Sequence, residues 1–286
     1  MSFKKKYAAL VATAAIAALA LSGCAASTEK AAPAAGDHKD IKICVYTHGD
    51  GGTFWSVAQK GAEAAAADLG VTLDYQGANN DAAKQAATIE AGIAAGCKGI
   101  ASSVPDAGAL KGPMLAAKAA GIPTVTMNSG SAVYKELGAF THVGQDEIIA
   151  GQQAGLKFNE MGVKHVLCPI QEAGNVGLEE RCKGLAQTFK GKAENFNLDG
   201  GLADLTAAAA KLQAALTADK TIDAVFALNA DIAAKAALPA ADAAGVKIKI
   251  GTVDMSPEAL DAIEAGTIEF AIDQQQYAQG YMSVVL

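Results

Sequence analysis

Asp50, Phe54 and Trp55 close a glycine-rich stretch, Val45 to Trp55, in which one carboxylate precedes two adjacent aromatics. Trp55 is the only tryptophan of the chain. Aromatic faces beside hydrogen-bonding groups suit a ring with C–H faces and hydroxyl edges, which describes a sugar. A second reading makes Phe54 and Trp55 the first core residues of a helix, and this stretch alone leaves both open. Further polar residues recur where apolar runs stop: Ser102-Ser103, Asn128-Ser129, Asn229 and Asp254. Gln274 follows the run Phe270 to Ile272, and Arg181 lies in a helical pattern behind Gly174-Asn175. Taken singly, Asn229 and Asp254 read as helix N-caps and Arg181 as a surface residue. Their recurrence favours convergence on one site between two facing halves.

The elements that must carry these residues alternate along the body. The apolar run Ile41 to Tyr46 is a strand, and a helix begins near Phe54. Then come strand 71–75, helix 81–95 with Asp81 as N-cap, strand 99–103, helix 107–120 and strand 124–127. Gly70, Gly96 and Gly121 stand where helices should stop. After Gly144 the pattern restarts with helix 147–160, strand 163–170, helix 176–190 and strand 225–228. Helix 230–244, strand 246–253, a short helix from Pro257, strand 268–272 and a helix from Tyr277 complete it. Short strands alternating with helices imply parallel βαβ units, and two sets imply two doubly wound α/β lobes. Ligands bind outside the carboxyl ends of such strands, where these polar residues sit.

Residues 1–23 read as an export signal: Lys4, Lys5 and Lys6, then a short apolar run from Ala8 to Leu21. That run of 14 residues is below the roughly 20 needed to span a bilayer. Leu21-Ser22-Gly23-Cys24 resembles a bacterial lipobox, which makes Cys24 the lipidated amino terminus and gives an anchored rather than spanning protein. Residues 24–40 are Ala/Pro/Gly/polar without apolar period and read as a flexible tether. Without residues 1–23 the chain carries 20 basic and 30 acidic residues, a net −10. So acidic a body is a poor partner for nucleic acid, and it lacks a basic helix that would lie on a membrane. The expected location is the extracytoplasmic cell envelope, attached through the lipid alone. Apolar residues are 51% of the chain and aromatics 5%, which suits small alanine-rich helices packed closely on a sheet.

From Ile41 onward the sequence resembles the sugar-binding branch of the type I periplasmic binding proteins, near in pattern to ribose-binding proteins. The pieces that carry the resemblance are Gly52-Thr53-Phe54-Trp55, Ile122 to Asn128, Glu180-Arg181-Cys182-Lys183-Gly184, Phe226 to Asn229, Gly251 to Asp254 and Ala271 to Gln274. The resemblance implies a sugar or polyol held between an N-terminal lobe, 41–144, and a C-terminal lobe, 145–274, with 275–286 returning to the first. By that likeness Phe54 and Trp55 pack on the ring, while Asn128, Arg181, Asn229, Asp254 and Gln274 bond its hydroxyls. It also implies delivery to an ABC permease by a monomeric carrier. Two departures stand out: Asn128-Ser129 replaces an Asp-Arg pair, and the first loop gains Asp50 while Gly52 replaces an asparagine. These departures leave the sugar class intact without specifying ribose, and polyols, inositols, other pentoses and hexoses stay open. Leu286 falls within the helix after the second crossing, where the family continues with a further helix, strand and third crossing. The expected fold is accordingly a C-terminally truncated version of the two-lobed form.

Four cysteines remain besides Cys24, and export permits disulfides. Cys168 and Cys182, on a strand and the next helix, form the favoured pair. Cys44 and Cys97 lie on or near neighbouring strands, but read first as small buried hydrophobes. The chain has no CxxC or His-x-x-x-His spacing, so no metal or other cofactor is expected. An exported enzyme is disfavoured by the lack of Gly-x-Ser-x-Gly, HExxH or a Walker loop. A sensor that partners a chemoreceptor or kinase shares the fold and is the alternative to transport.

Overall fold

The computed structural model describes residues 38–286. The export signal, Cys24 and most of the tether lie outside them. The elements run β1 His38–Thr47, α1 Gly52–Leu69, β2 Val71–Gly77, α2 Ala82–Ala94, β3 Gly99–Ser103, α3 Ala107–Ala119, β4 Thr124–Met127 and β5 Thr141–Val143. A second set follows: α4 Glu147–Glu160, β6 His165–Ile170, α5 Val176–Thr188, β7 Lys192–Asn197, α6 Leu205–Ala218 and β8 Ala224–Ala227. Next is one helical stretch made of α7 Ala230–Ile232, a π turn Ala233–Ala237 and α8 Leu238–Ala244. The described chain closes with β9 Lys249–Val253, α9 Pro257–Glu264, β10 Phe270–Ile272 and α10 Gln276–Val285.

The ten strands form two parallel five-stranded sheets, ordered β2-β1-β3-β4-β5 and β10-β9-β8-β6-β7. Counted in chain order within each set, both sheets are wound 2-1-3-4-5. The chain leaves the first lobe between β5 and α4 and returns between β10 and α10, which packs on α1. Alternating side chains explain the layers. Cys44 and Tyr46 of β1 join Ile89, Leu110 and Met114 on one face, whereas Val45 joins Ala62, Ala65 and Val284 on the other. The second sheet does the same, with Leu167 packed against Leu212 and Val225, and Val166 and Cys168 against Phe158 and Leu185. Sheets covered on both faces need continuous apolar runs, which is why their central strands were legible. Each fully buried large side chain contributes about 1.5–3 kcal/mol.

Caps place the helix starts as expected at several points. Asp81 accepts from the Lys84 amide at 2.9 Å, and Gly70 takes the left-handed conformation that ends α1. Several expectations need correction. The tether ends earlier, because His38, Lys39 and Asp40 already belong to β1, where the His38 amide donates to the Gly70 carbonyl. Strands β5 and β7 and helix α6 were not anticipated. Both strands are edges: β5 has three residues, and β7 reads Lys-Ala-Glu-Asn-Phe-Asn with little buried, so neither carries an apolar run. Helix α6 is half alanine, so its buried face shows only as Ala208, Leu212 and Leu216. Strand β9 starts at Lys249 rather than 246, β6 at His165 rather than 163, and α5 stops at Thr188. Cys168 and Cys182 are bridged, and so are Cys44 and Cys97, each pair with Cα atoms 6.0 Å apart. The second bridge corrects the hydrophobe reading: β1 and β3 are neighbours, and Cys97 lies just before β3.

Candidate functional site

In each sheet the winding reverses direction at its first strand, between β1 and β3 and between β6 and β8. Loops leaving the carboxyl ends at such a reversal diverge and open a crevice. The two crevices face one another and enclose a cleft of about 240 Å³. That is below the roughly 300–1,000 Å³ typical of drug-sized ligands and fits one small ring. All eight residues singled out in the sequence, Asp50, Phe54, Trp55, Asn128, Arg181, Asn229, Asp254 and Gln274, line it.

The first wall grows from the β1–α1 turn. Gly51 and Gly52 have φ of 60° and 66°, in the left-handed region open to glycine. The turn is also tight at Gly49, where a Cβ would collide with the Trp55 indole. Phe54 and Trp55 meet edge to face with centroids 4.7 Å apart, and His48 meets the indole at 4.9 Å. Phe54 is buried and Trp55 half-buried, so each serves both readings: they pack on the lobe and line the cleft. The buried His48 is held by Ser103 Oγ, 2.7 Å from its amide and 2.8 Å from its Nδ1. Asp50 is exposed at the mouth.

The second wall centres on Arg181, which is 4% exposed and so not a surface residue. Its Nε donates to Glu147 Oε2 at 2.5 Å and its Nη2 to Glu147 Oε1 at 3.0 Å, a two-point pair. Nη1 donates to the Leu228 carbonyl at 3.1 Å, and Nη2 also reaches Gln274 Oε1 at 2.8 Å. Gln274 then donates from Nε2 to Asp254 Oδ1 at 2.7 Å, bridging the guanidinium and the carboxylate. Burial works to lower the Arg181 pKa, but the charge and hydrogen bonds of Glu147 outweigh it and raise it. Asp254 is 5% exposed, and burial pushes it up to about 7 against the pull of Arg181. Asn229 caps α7, its Oδ1 accepting from the Asp231 amide at 2.8 Å, so the cap reading holds while the residue also lines the cleft. Asp254 is not a cap, since Ser256 caps α9.

Helix packing explains why Glu147 meets Arg181. A Cβ on Gly151 of α4 would strike the Arg181 carbonyl, and one on Gly184 of α5 the Ile148 carbonyl. These glycines bring the helices close enough for a residue on one to form a bidentate pair with a residue on the other. Direct contacts also join the lobes. Thr53 Oγ1 donates to Asp231 Oδ2 at 2.5 Å, and Asn128 Nδ2 to Gln274 Oε1 at 3.4 Å. His48 Nε2 lies 3.6 Å from Glu172 Oε2. The His48 and Asn175 bonds hold the Glu172 carboxyl below its usual range although burial pushes it up. Glu147, His48, Gln171, Glu172 and Asp231 were missed from the sequence. His48, Gln171 and Glu172 directly follow β1 and β6, so the strand-end rule could have found them. Nothing in the spacing pointed to Glu147. Among the described residues no cluster of His, Cys, Asp and Glu could hold a metal ion.

Residues 43–286 match the family model described as a periplasmic binding protein domain. The chain belongs to the periplasmic binding protein family. Among solved structures it is similar to a carbohydrate transporter from Acidothermus cellulolyticus in complex with myo-inositol. The identity is 42% over 86% of this chain and 85% of that one, with a TM-score of 0.82. A solute-binding protein from Burkholderia graminis in complex with D-arabinose shares the fold at 23% identity and TM-score 0.79, over 87% and 88% of the two chains. A xylose/arabinose-binding protein of Sulfolobus acidocaldarius is 24% identical over 86% of this chain, which spans 65% of that relative's length. These relatives are described as binding and transport proteins, and none as an enzyme. Among the described residues no helix is long and apolar enough to cross a membrane.

Proposed function

We propose that this periplasmic binding protein captures a sugar or polyol in the cleft and delivers it, as a monomer, to an ABC permease. The observation that carries the reading is the composition of the two facing walls. Phe54 and Trp55 offer ring faces on one side, and the Arg181–Gln274–Asp254 chain offers donors and acceptors on the other. Adjacent hydroxyls of a polyol each donate and accept, and such a chain can serve both. The myo-inositol and D-arabinose named for the similar structures support a small polyhydroxylated ring. The eight lining residues are the proposed ligand contacts. On the sequence, Cys24 carries a lipid that keeps the protein at the extracytoplasmic membrane surface. Thermal unfolding with a panel of pentoses, hexoses, polyols and inositols tests the reading. A cognate ligand at 100 times its dissociation constant adds about 2.7 kcal/mol; no shift with any member of the panel would overturn it. Cys24→Ser should release the protein from membranes, and a variant that stays bound would remove the anchor.

A further inference from the structure

We infer that the cleft is matched to a cationic polyol, an amino sugar or aminocyclitol, seated with its ammonium group on Asp254. The inference rests on the polyol reading above and narrows it. Four carboxylates, Glu147, Glu172, Asp231 and Asp254, are at or directly behind the cleft walls with little exposure, against the Arg181 guanidinium, the His48 imidazole and the Lys235 ammonium at the rim. The guanidinium is largely committed, with four of its five N–H groups engaged within the protein. Arg181 gives its Nε and one Nη2 hydrogen to Glu147, the other Nη2 hydrogen to Gln274, and an Nη1 hydrogen to the Leu228 carbonyl. Glu172 faces His48 and is bonded by Asn175 at 2.6 Å. Asp254 is bonded by two neutral amides, Gln274 and Gln276, and both bonds go to Oδ1. The cleft-lining residues Asn128 and Ser129 of the first lobe and Asn229 of the second are also neutral. At the rim, Lys235 is 3.0 Å from both Asp231 and Glu258.

A second observation points the same way. Gln171 lines the cleft at 4% exposure, and its Oε1 has no hydrogen-bond partner. The walls therefore ask for donors and for one positive charge. A hydroxyl brings a donor but leaves the charge of Asp254 without a counterion. An ammonium brings three donors, no acceptor and the missing charge. Conversely, a uronate or phosphorylated sugar would set another negative charge among these carboxylates. Burial pushes the Asp254 carboxyl up to about 7 although Arg181 pulls it down, and an ammonium seated on it would favour its ionised form.

The test is calorimetric titration of the full chain at neutral pH with matched pairs: myo-inositol against an inosamine, D-glucose against D-glucosamine, with D-glucuronate as the acid. In at least one pair the amine should bind about tenfold tighter than its hydroxyl partner, since desolvating the ammonium offsets part of the charged bond. Glucuronate should bind more weakly than glucose. Asp254→Asn should shrink the amine's advantage to less than about threefold. Glu147→Gln, which frees the charge of Arg181 to face Asp254, should shrink it too, and it carries the test should the first variant fail to fold. A hydroxyl partner that binds as well as the amine in every pair would overturn the inference while leaving the polyol reading in place. An advantage that persists in both variants would also overturn it. Silence from all five compounds would overturn the inference, and silence extending to the whole thermal-unfolding panel would overturn the polyol reading with it.

Discussion

Replacing Asp254 by Asn should make the unliganded protein more stable at alkaline pH and leave it nearly unchanged at acid pH. The carboxyl titrates at an ordinary 3.8 in the unfolded chain and at about 7 in the folded one, chiefly because it is buried. A raised folded pKa means that the folded state holds the proton more tightly. Its contribution is therefore fully present below about pH 4 and is lost as the pH climbs through about 7. At about 1.4 kcal/mol per pH unit, the interval from 3.8 to 7 is worth about 4 kcal/mol, a ceiling that local relaxation reduces. Asparagine carries no charge to bury, and its Oδ1 can still accept from Gln274. It also tolerates the backbone, since Asp254 has φ of 70° and Asn is among the residues most often found in that region. Urea unfolding of wild type and variant at pH 4.5, 6 and 8 should show the difference widening with pH, by about 1–4 kcal/mol across the range. A difference that stays flat, or a variant less stable at pH 8, would refute the claim that this acid is buried without a counterion.

Arg181→Met should destabilise the fold by about 3–5 kcal/mol, because Glu147 would be left buried without its cation. Adding Glu147→Gln should recover part of that loss, and a single variant as stable as wild type in urea would contradict the pairing. Trp55→Ala should weaken polyol binding about tenfold, through lost ring contact of about 0.5–1.5 kcal/mol and lost area, while the unfolding midpoint moves little. A large loss of stability without a selective loss of affinity would make Trp55 a core residue only. The Cys44–Cys97 bridge closes 53 residues and the Cys168–Cys182 bridge 14. Chain entropy makes the first worth about 4 kcal/mol and the second about 3. Paired alanine variants compared in urea should keep that order, and the reverse order would show that native packing outweighs loop length.

The sequence disclosed the central strands because a parallel strand covered on both faces is buried throughout and mostly apolar, as in Ala224–Ala227 or Thr124–Met127. It disclosed helix starts where a cap side chain fixes them, as Asp81 does. Of the four edge strands, β5 and β7 were hidden because an edge needs backbone partners on one side only and no apolar run, whereas β2 and β10 keep apolar residues and were anticipated. Placement of the site was legible through a rule of topology, that polar residues at carboxyl strand ends converge. What topology does not give is pairing. Glu147 and Arg181 are 34 residues apart on helices joined through glycine-lined backbone contact, and either residue alone looks like helix surface. The two-point Arg–Glu pair changes the chemistry of the site, since an arginine read as a ligand-binding fork proves mostly engaged within the protein.

Backbone strain gives independent support for the location of the site. The non-glycine residues with positive φ among those described are Asn79, Asn80, Asn128, Asp254 and Gln275. The first four line the cleft, and Gln275 adjoins Gln274 in the segment that returns the chain to the first lobe. Left-handed backbone costs an L-residue roughly 1–2 kcal/mol, less for Asn and Asp, whose short side chains can bond locally. Glycine would relieve that cost at each position, but it has no amide or carboxyl to offer. In the helix ends remote from the cleft, where no side chain is required, glycine does take this conformation, as at Gly70, Gly121 and Gly245. The chain thus uses glycine where only the turn matters and accepts strain where a turn must also present a polar group. That division places the demand for side-chain chemistry at the mouth and walls of a single cleft, the same cleft that the two sheet reversals create.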